Sequence, residues 1–179
     1  MKKNLKLFLL VGLVASVGFT SCTEEETVTP TPTTDTSAVL TEASAAGTVW
    51  NLLGPNMGAF DLKNGVEVSS TGSSTIKDLL DQSYIDSTGV KYPKTLGTAN
   101  GSLFVKAATG FDYTAITENK AKAAFDAGTS SALTGELAAG DIYIVKNARF
   151  THNYVVVKVL SVTVTANDNL DKVTFNYKK

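Results

Sequence analysis

The side chain best suited to chemistry in this chain is its single histidine, His152, in a polar connection over residues 147–152. An imidazole can ligate haem iron or another metal. Met57 could serve as a second axial ligand to haem, although nothing in the sequence places it beside His152. The alternative is an exposed turn histidine that binds nothing. A zinc site is not expected, because one histidine falls short of the usual ligand set.

Carboxylates are the other candidates for acid–base work. The aspartates considered are Asp61, Asp78, Asp81, Asp86, Asp112 and Asp141. Aspartates also accept hydrogen bonds from nearby backbone N–H groups in turns, and this is the interpretation we favour. A serine triad would have to use His152, and no Gly-x-Ser-x-Gly elbow, P-loop or dinucleotide fingerprint occurs. The sequence therefore predicts a binding protein rather than an enzyme.

Exposed aromatic residues could contact a ligand. Tyr84 and Tyr92 flank a loop at residues 86–101 that is rich in glycine and proline, so we expect both to be exposed. Aromatic residues within strands more often fill the core. For that reason we expect core positions for most of the remaining candidates, which are Trp50, Phe60, Phe104, Phe111, Tyr113 and Tyr143.

The N-terminus has the layout of a cleavable export signal. Three lysines precede an apolar stretch at residues 7–19, whose thirteen residues would span roughly 20 Å as a helix, short of the ~30 Å hydrocarbon core. The segment Phe19-Thr20-Ser21-Cys22 resembles the lipobox of bacterial lipoproteins, with Phe19 in place of the usual leucine. The resemblance implies diacylglycerol on the Cys22 thiol, cleavage before Cys22 and acylation of the new amine. An ordinary signal peptide is the alternative.

The residues after Cys22 bear on location. Thr23 is not aspartate, so the inner-membrane retention signal of some lipoproteins is missing. Glu24, Glu25 and Glu26 are similar to the acidic surface-export signal of Bacteroidota lipoproteins; a solvated acidic tether is the alternative. The resemblance implies an outer-membrane protein, lipid-anchored and facing the periplasm or the cell surface.

Charge and composition narrow the class of partner. Cleavage before Cys22 would leave 158 of the 179 residues, and the loss of three lysines would change the formal charge from −1 to −4. Such a chain lacks the Lys/Arg stripe that a phosphate backbone requires, so nucleic acid is not an expected partner. With Cys22 lipidated, no thiol remains for a disulfide or a metal site.

The pattern predicts a signal peptide at 1–21, an acidic and then Thr/Pro-rich tether at 22–46, and one β-rich domain at 47–179. Strands are expected at 49–53, 57–62, 66–69, 102–106, 141–146, 154–165 and 173–177. The last three predict a C-terminal antiparallel meander. One short helix is expected at 116–127, with Gly128 at its end. The fold class is mainly β, either an antiparallel sheet or a sandwich or open barrel.

Several segments resemble those of uncharacterised Bacteroidota surface lipoproteins: Phe60-Asp61-Leu62, Leu103-Phe104-Val105-Lys106, Gly110-Phe111-Asp112-Tyr113 and Gly140-Asp141-Ile142-Tyr143-Ile144-Val145-Lys146. More loosely, the layout is similar to the HmuY-type haem-binding lipoproteins, which are all-β with a short helical element. That family uses paired histidines, which one histidine cannot supply. We expect a non-catalytic module that binds an unknown ligand or envelope protein without a cofactor. The alternatives are haem capture and a structural or adhesive role.

Overall fold

The computed structural model describes residues 34–82, 95–165 and 168–179, and its strands form two antiparallel sheets. In chain order the strands are β1 (Gly47–Trp50), β2 (Ala59–Asp61), β3 (Val66–Val68), β4 (Leu79–Asp81), β5 (Leu96–Gly97), β6 (Leu103–Lys106), β7 (Ile142–Lys146), β8 (Tyr154–Thr163) and β9 (Lys172–Lys178). The described helices are a 3₁₀ turn, Ser74–Ile76, and α1, Glu118–Asp126. The mainly β fold class is therefore confirmed.

The larger sheet has the order β1-β9-β8-β7-β6, and the smaller sheet has the order β3-β2-β4-β5. The predicted C-terminal meander is present, since β7, β8 and β9 pair antiparallel in sequence order. The strands predicted at 57–62 and 66–69 correspond to β2 and β3, which pair antiparallel as a hairpin. In the described part of the chain the two sheets do not close into a barrel.

Strand β8 lies at the centre of the larger sheet and is buried on both faces over most of Tyr154–Val159. One face meets the smaller sheet in a core where Phe60 and Phe175 pack edge to face, with ring centroids 5.1 Å apart. The other face meets α1, whose Ala121 and Phe125 are buried. This arrangement explains why valines occur at both odd and even positions in the first half of β8.

Helix α1 is slightly shorter than the predicted range of 116–127. The Thr117 hydroxyl accepts a hydrogen bond from the backbone N–H of Lys120, so Thr117 is the N-cap and the helix begins at Glu118. At the other end Ala127 is the C-cap, and Gly128 follows. Before β4, residues Ser74–Ile76 form the 3₁₀ turn.

The predicted tether at 22–46 needs a correction over its second half. Residues 34–46, which we call the N-terminal strap, belong to the folded unit Thr34–Lys179. The Leu40 side chain is only 1% exposed, and Thr41 and Lys179 exchange two backbone hydrogen bonds of 2.9 Å. Burial of the leucine side chain, together with pairing to the end of the chain, overrides the polar composition of the segment.

Candidate functional site

His152 lies in the loop between β7 and β8, beside the start of α1. Its Nδ1 atom is 3.4 Å from Oε2 of Glu118. The histidine borders a cavity of about 180 Å³, which is lined by Lys63, Phe150, Thr151, His152, Tyr154, Val155 and Lys179. Pockets that enclose drug-sized ligands measure roughly 300–1,000 Å³, so this cavity suits a smaller group.

Met57 lies elsewhere, in the exposed loop between β1 and β2. Its carbonyl oxygen accepts a hydrogen bond of 3.2 Å from the N–H of Trp50, which pairs with Lys172 at the start of β9. His152 precedes β8 near the other end of the β8–β9 ladder, where Val156 pairs with Lys178. The structure therefore does not bring Met57 and His152 together. The remaining candidates, Cys22, Glu24, Glu25, Glu26, Tyr84 and Tyr92, lie outside the described residues.

Two of the candidate aspartates, Asp61 and Asp78, are fully buried and share one guanidinium. Nη1 of Arg149 donates to Oδ1 of Asp61 at 3.0 Å and also to Oδ2 of Asp78, while Nη2 donates to the second Asp61 oxygen at 3.3 Å. Burial acts to raise the pKa of Asp61. The hydrogen bonds from Arg149 and Asn64 outweigh that effect, so the pKa lies below its ordinary value.

Amide and hydroxyl groups satisfy the remaining oxygen of Asp78. Nδ2 of Asn100 donates to it at 2.6 Å, and the Ser102 hydroxyl lies at 3.4 Å. Asn147 in turn donates to that hydroxyl at 2.9 Å. This network joins the smaller sheet, which supplies Asp61, to the loop after β7, which supplies Arg149. Its carboxylates are bound within the fold, so we interpret the network as a structural interlock.

Sequence reasoning considered Asp61 and Asp78 but missed Arg149. A signal was present, because Arg149 is the only arginine among sixteen basic residues. A planar guanidinium can bind two carboxylates with several donors at once, which an ammonium cannot match. An isolated arginine in a lysine-rich chain is therefore a reasonable indication of a fixed, buried ion pair.

A larger cavity lies where β6 ends and β7 begins. This open groove, which we call the Tyr113 groove, has a volume of about 520 Å³. It is lined by residues 106–114, 140–142 and 158. Its volume lies within the range of small-ligand sites.

Local turns shape the walls of the groove. The N–H of Ala107 donates to the carbonyl of Ile142 at 2.8 Å, which holds the start of one wall against the other. Gly110 and Gly140 adopt φ values of 85° and 90°, a conformation that L side chains rarely take. Beyond Gly110, the carboxylate of Asp112 accepts the N–H of Thr114 at 2.8 Å. This last contact agrees with the turn-capping role favoured for the aspartates.

Two lysines of the groove lining have different environments. Nζ of Lys106 lies 2.8 Å from Oδ1 of Asp141, whose other oxygen accepts the N–H of Ala138 at 3.0 Å. Nζ of Lys158 lies 5.5 Å from the centroid of the Tyr113 ring. Among the described residues, no carboxylate lies within 4.0 Å of the Lys158 ammonium.

The Tyr113 ring is also approached by Lys178, at 5.0 Å from the ring centroid. The Lys178 ammonium donates to the carbonyl of Thr114 at 2.8 Å, which fixes it beside the loop. The Tyr113 hydroxyl is buried without a hydrogen-bond partner among the residues that the structure describes. Burial, and to a lesser degree the charge of Glu42, raises the pKa of Tyr113 above its ordinary value. Tyr113 therefore presents a neutral ring to the two ammonium groups at physiological pH.

Within the described ranges, no group of three or more His, Cys, Asp or Glu side chains is arranged to hold a metal ion. None of the described helices is both long enough and apolar enough to cross a bilayer. No protein-family model, curated protein or solved structure matches this chain.

Proposed function

We propose that this chain is a lipid-anchored protein of the outer membrane or cell surface that binds a small ligand in the Tyr113 groove. The observation that carries the binding role is the groove itself. It combines about 520 Å³ of open volume with aromatic, charged and glycine-containing turn residues at one edge of the larger sheet. Sites of this mixed character are the usual starting hypothesis for ligand binding.

The anchoring part of the proposal rests on Cys22 and the segment before it. Two or more acyl chains hold a protein stably on a bilayer, whereas removal of the thiol removes the first lipidation step. We expect Cys22→Ser to move the protein from the membrane fraction to the soluble fraction and to abolish the incorporation of labelled palmitate. A variant that remains in the outer-membrane fraction would contradict the anchor.

Ligand binding can be measured with a single reporter dye, because Cys22 is the only cysteine. In the Cys22→Ser chain, Thr109→Cys places one thiol on the exposed wall of the groove. We expect a member of a panel of saccharides, nucleotides, amino acids and fatty acids to change the fluorescence of a dye on that thiol in a saturable manner.

The matched control carries the same dye at Glu67→Cys, an exposed position on β3 of the smaller sheet. A ligand that occupies the groove changes the signal at position 109 and leaves the signal at position 67 unchanged. Equal responses at both positions, or no response at position 109 to any member of the panel, would contradict the proposed site.

We do not extend the proposal to haem. The cavity beside His152 is about 180 Å³ and does not include Met57 among its lining residues. His152 also lies close to the carboxylate of Glu118. A Soret shift on addition of haem that disappears in His152→Ala would make haem capture the better reading.

A further inference from the structure

We infer that the ligand of the Tyr113 groove is an acidic carbohydrate, a saccharide that carries a carboxylate or sulfate group. This inference rests on the proposed function and adds the chemical class of the ligand. The features that indicate this class are the two lysines of the lining, the half-buried Phe111 and the open form of the groove.

Lys158 carries a positive charge in a partly buried part of the groove. Its side chain projects from the central strand β8 and is half-buried, yet no carboxylate lies within 4.0 Å of its ammonium among the described residues. An ammonium that is partly removed from water gains most from a charged, hydrogen-bonding partner. The Tyr113 ring gives weaker compensation through its π face. An anion supplied by a ligand would complete the environment of Lys158.

Lys106 is the other lysine of the groove lining. It is paired with Asp141, but its side chain is 53% exposed and the Asp141 side chain is 15% exposed. An ammonium has three donors, and Asp141 is the one carboxylate paired with it among the described residues. Lys106 can therefore donate to a ligand without releasing Asp141. Within the described ranges, the groove lining thus offers Lys158 without a paired carboxylate and Lys106 with one.

Phe111 can contact the uncharged part of the ligand. Its side chain is half-buried in the lining, whereas the nearby Tyr113 is buried and its ring already lies beside Lys158 and Lys178. One face of a sugar ring consists of C–H groups, which pack on aromatic rings, while its rim carries hydroxyls that need polar partners. The exposed Thr109 and Asp112 can supply those partners. An acidic sugar matches this combination better than a fatty acid, which has no hydroxyl rim.

The open form of the groove favours one unit of a longer chain over a small, enclosed metabolite. The groove is open to solvent, so a saccharide bound there could continue beyond the lining residues. An acidic peptide would supply carboxylates as well. It would lack the rigid apolar face that the half-buried Phe111 would contact, so the peptide serves as an opposing outcome in the test.

The test compares three probes on the Cys22→Ser, Thr109→Cys reporter chain: trigalacturonate, its neutral counterpart galactotriose, and triglutamate. We expect trigalacturonate to bind at least tenfold more tightly than either of the others, with an affinity that falls as salt is raised. A sulfated disaccharide distinguishes carboxylate from sulfate recognition and is expected to compete at the same site.

Lys158→Gln is expected to weaken trigalacturonate about tenfold and to leave galactotriose unchanged. The matched control is Lys172→Gln, since Lys172 also lies over an aromatic ring, with its ammonium 4.7 Å from the centroid of Trp50, but outside the groove lining. Phe111→Ala provides a second variant at a half-buried position and should weaken both saccharides. The thermal midpoint of each variant shows whether it remains folded.

Equal affinities for the acidic and neutral trisaccharides would overturn the inferred ligand class and leave the proposed binding function standing. Tighter binding of triglutamate than of trigalacturonate would also overturn it. If Lys172→Gln lost as much affinity for trigalacturonate as Lys158→Gln, the loss would reflect the net charge of the protein. That result would contradict the assignment of the ligand to the groove.

Discussion

At the scale of single residues, Arg149 is a largely buried cation. It faces two fully buried carboxylates, and its own side chain is 18% exposed. Burial acts to lower the pKa of Arg149, but the hydrogen bonds to Asp61 and Asp78 outweigh it and raise the pKa. The guanidinium is therefore charged throughout the pH range in which the protein is folded.

We expect Arg149→Met to lower the free energy of unfolding by about 3–5 kcal/mol, because it leaves two buried carboxylates without their cation. Arg149→Lys should recover part of that loss, since an ammonium restores the charge but not the fork of donors. Urea denaturation measures both values. Lys122→Met, which removes an exposed pair with Asp126, is the control and should change little. An equally small effect of Arg149→Met would contradict the interlock.

The same network predicts how stability depends on pH. The pKa of Asp61 is lower in the folded protein than its ordinary value of 3.8, so its carboxylate stabilises the fold above about pH 4. That contribution is lost as pH falls through the folded pKa. Asp61→Asn should therefore show a flatter dependence of unfolding free energy on pH between about 5 and 2 than the parent chain, when both are measured by urea denaturation. Identical slopes would contradict the assignment.

Residue roles were predictable from sequence where partners are close along the chain. The turn-capping role of Asp112 needs only Thr114, two residues away, and Asp61 likewise accepts the N–H of Asn64. The ion network could not be predicted in the same way, because Arg149 is 88 residues from Asp61 and 71 from Asp78. Only the packing of the two sheets brings these residues together.

At the scale of elements, hydrophobic alternation was sufficient to predict the strands of the C-terminal meander. In β9 the buried Val173, Phe175 and Tyr177 alternate with half-buried polar residues, as a strand with one buried face should. The first strand was less well predicted. β1 is Gly47–Trp50 rather than 49–53, because a turn begins at Asn51, whose carbonyl accepts the N–H of Gly54 at 2.9 Å.

Gly47 permits the close approach of β1 to the core. A Cβ added there would lie 2.3 Å from Cζ of Phe175, and that ring is fully buried against Phe60. We expect Gly47→Ala to lower the free energy of unfolding by about 1–3 kcal/mol, since the buried Phe175 ring must shift to admit the added methyl group. Thr48→Ala, on the neighbouring half-buried position, should cost less in the same thermal or urea measurement. The reverse order of effects would contradict this packing.

At the scale of the whole molecule, the N-terminal strap forms the start of the folded unit Thr34–Lys179. The strap also completes the start of α1. The carbonyl of Ala38 accepts the N–H of Glu118 at 2.8 Å, and the Ser37 hydroxyl accepts the N–H of Asn119 at 3.1 Å. These are N–H groups that a helix cannot satisfy by itself. The composition of this segment is typical of a tether, yet the segment makes specific hydrogen bonds to the start of α1. No local sequence pattern predicted those contacts.

This arrangement predicts that the folded unit begins before Gly47. A chain covering residues 34–179 should unfold cooperatively, whereas a chain covering 47–179 should lose at least about 3 kcal/mol or fail to fold, because it loses the buried Leu40 and the pairing of Thr41 with Lys179. Leu40→Ala in the longer chain should cost about 2–5 kcal/mol by itself. Val39→Ala is the matched control, since that side chain is 68% exposed. If residues 47–179 were as stable as residues 34–179 in urea, the strap would contribute nothing to the stability of the fold.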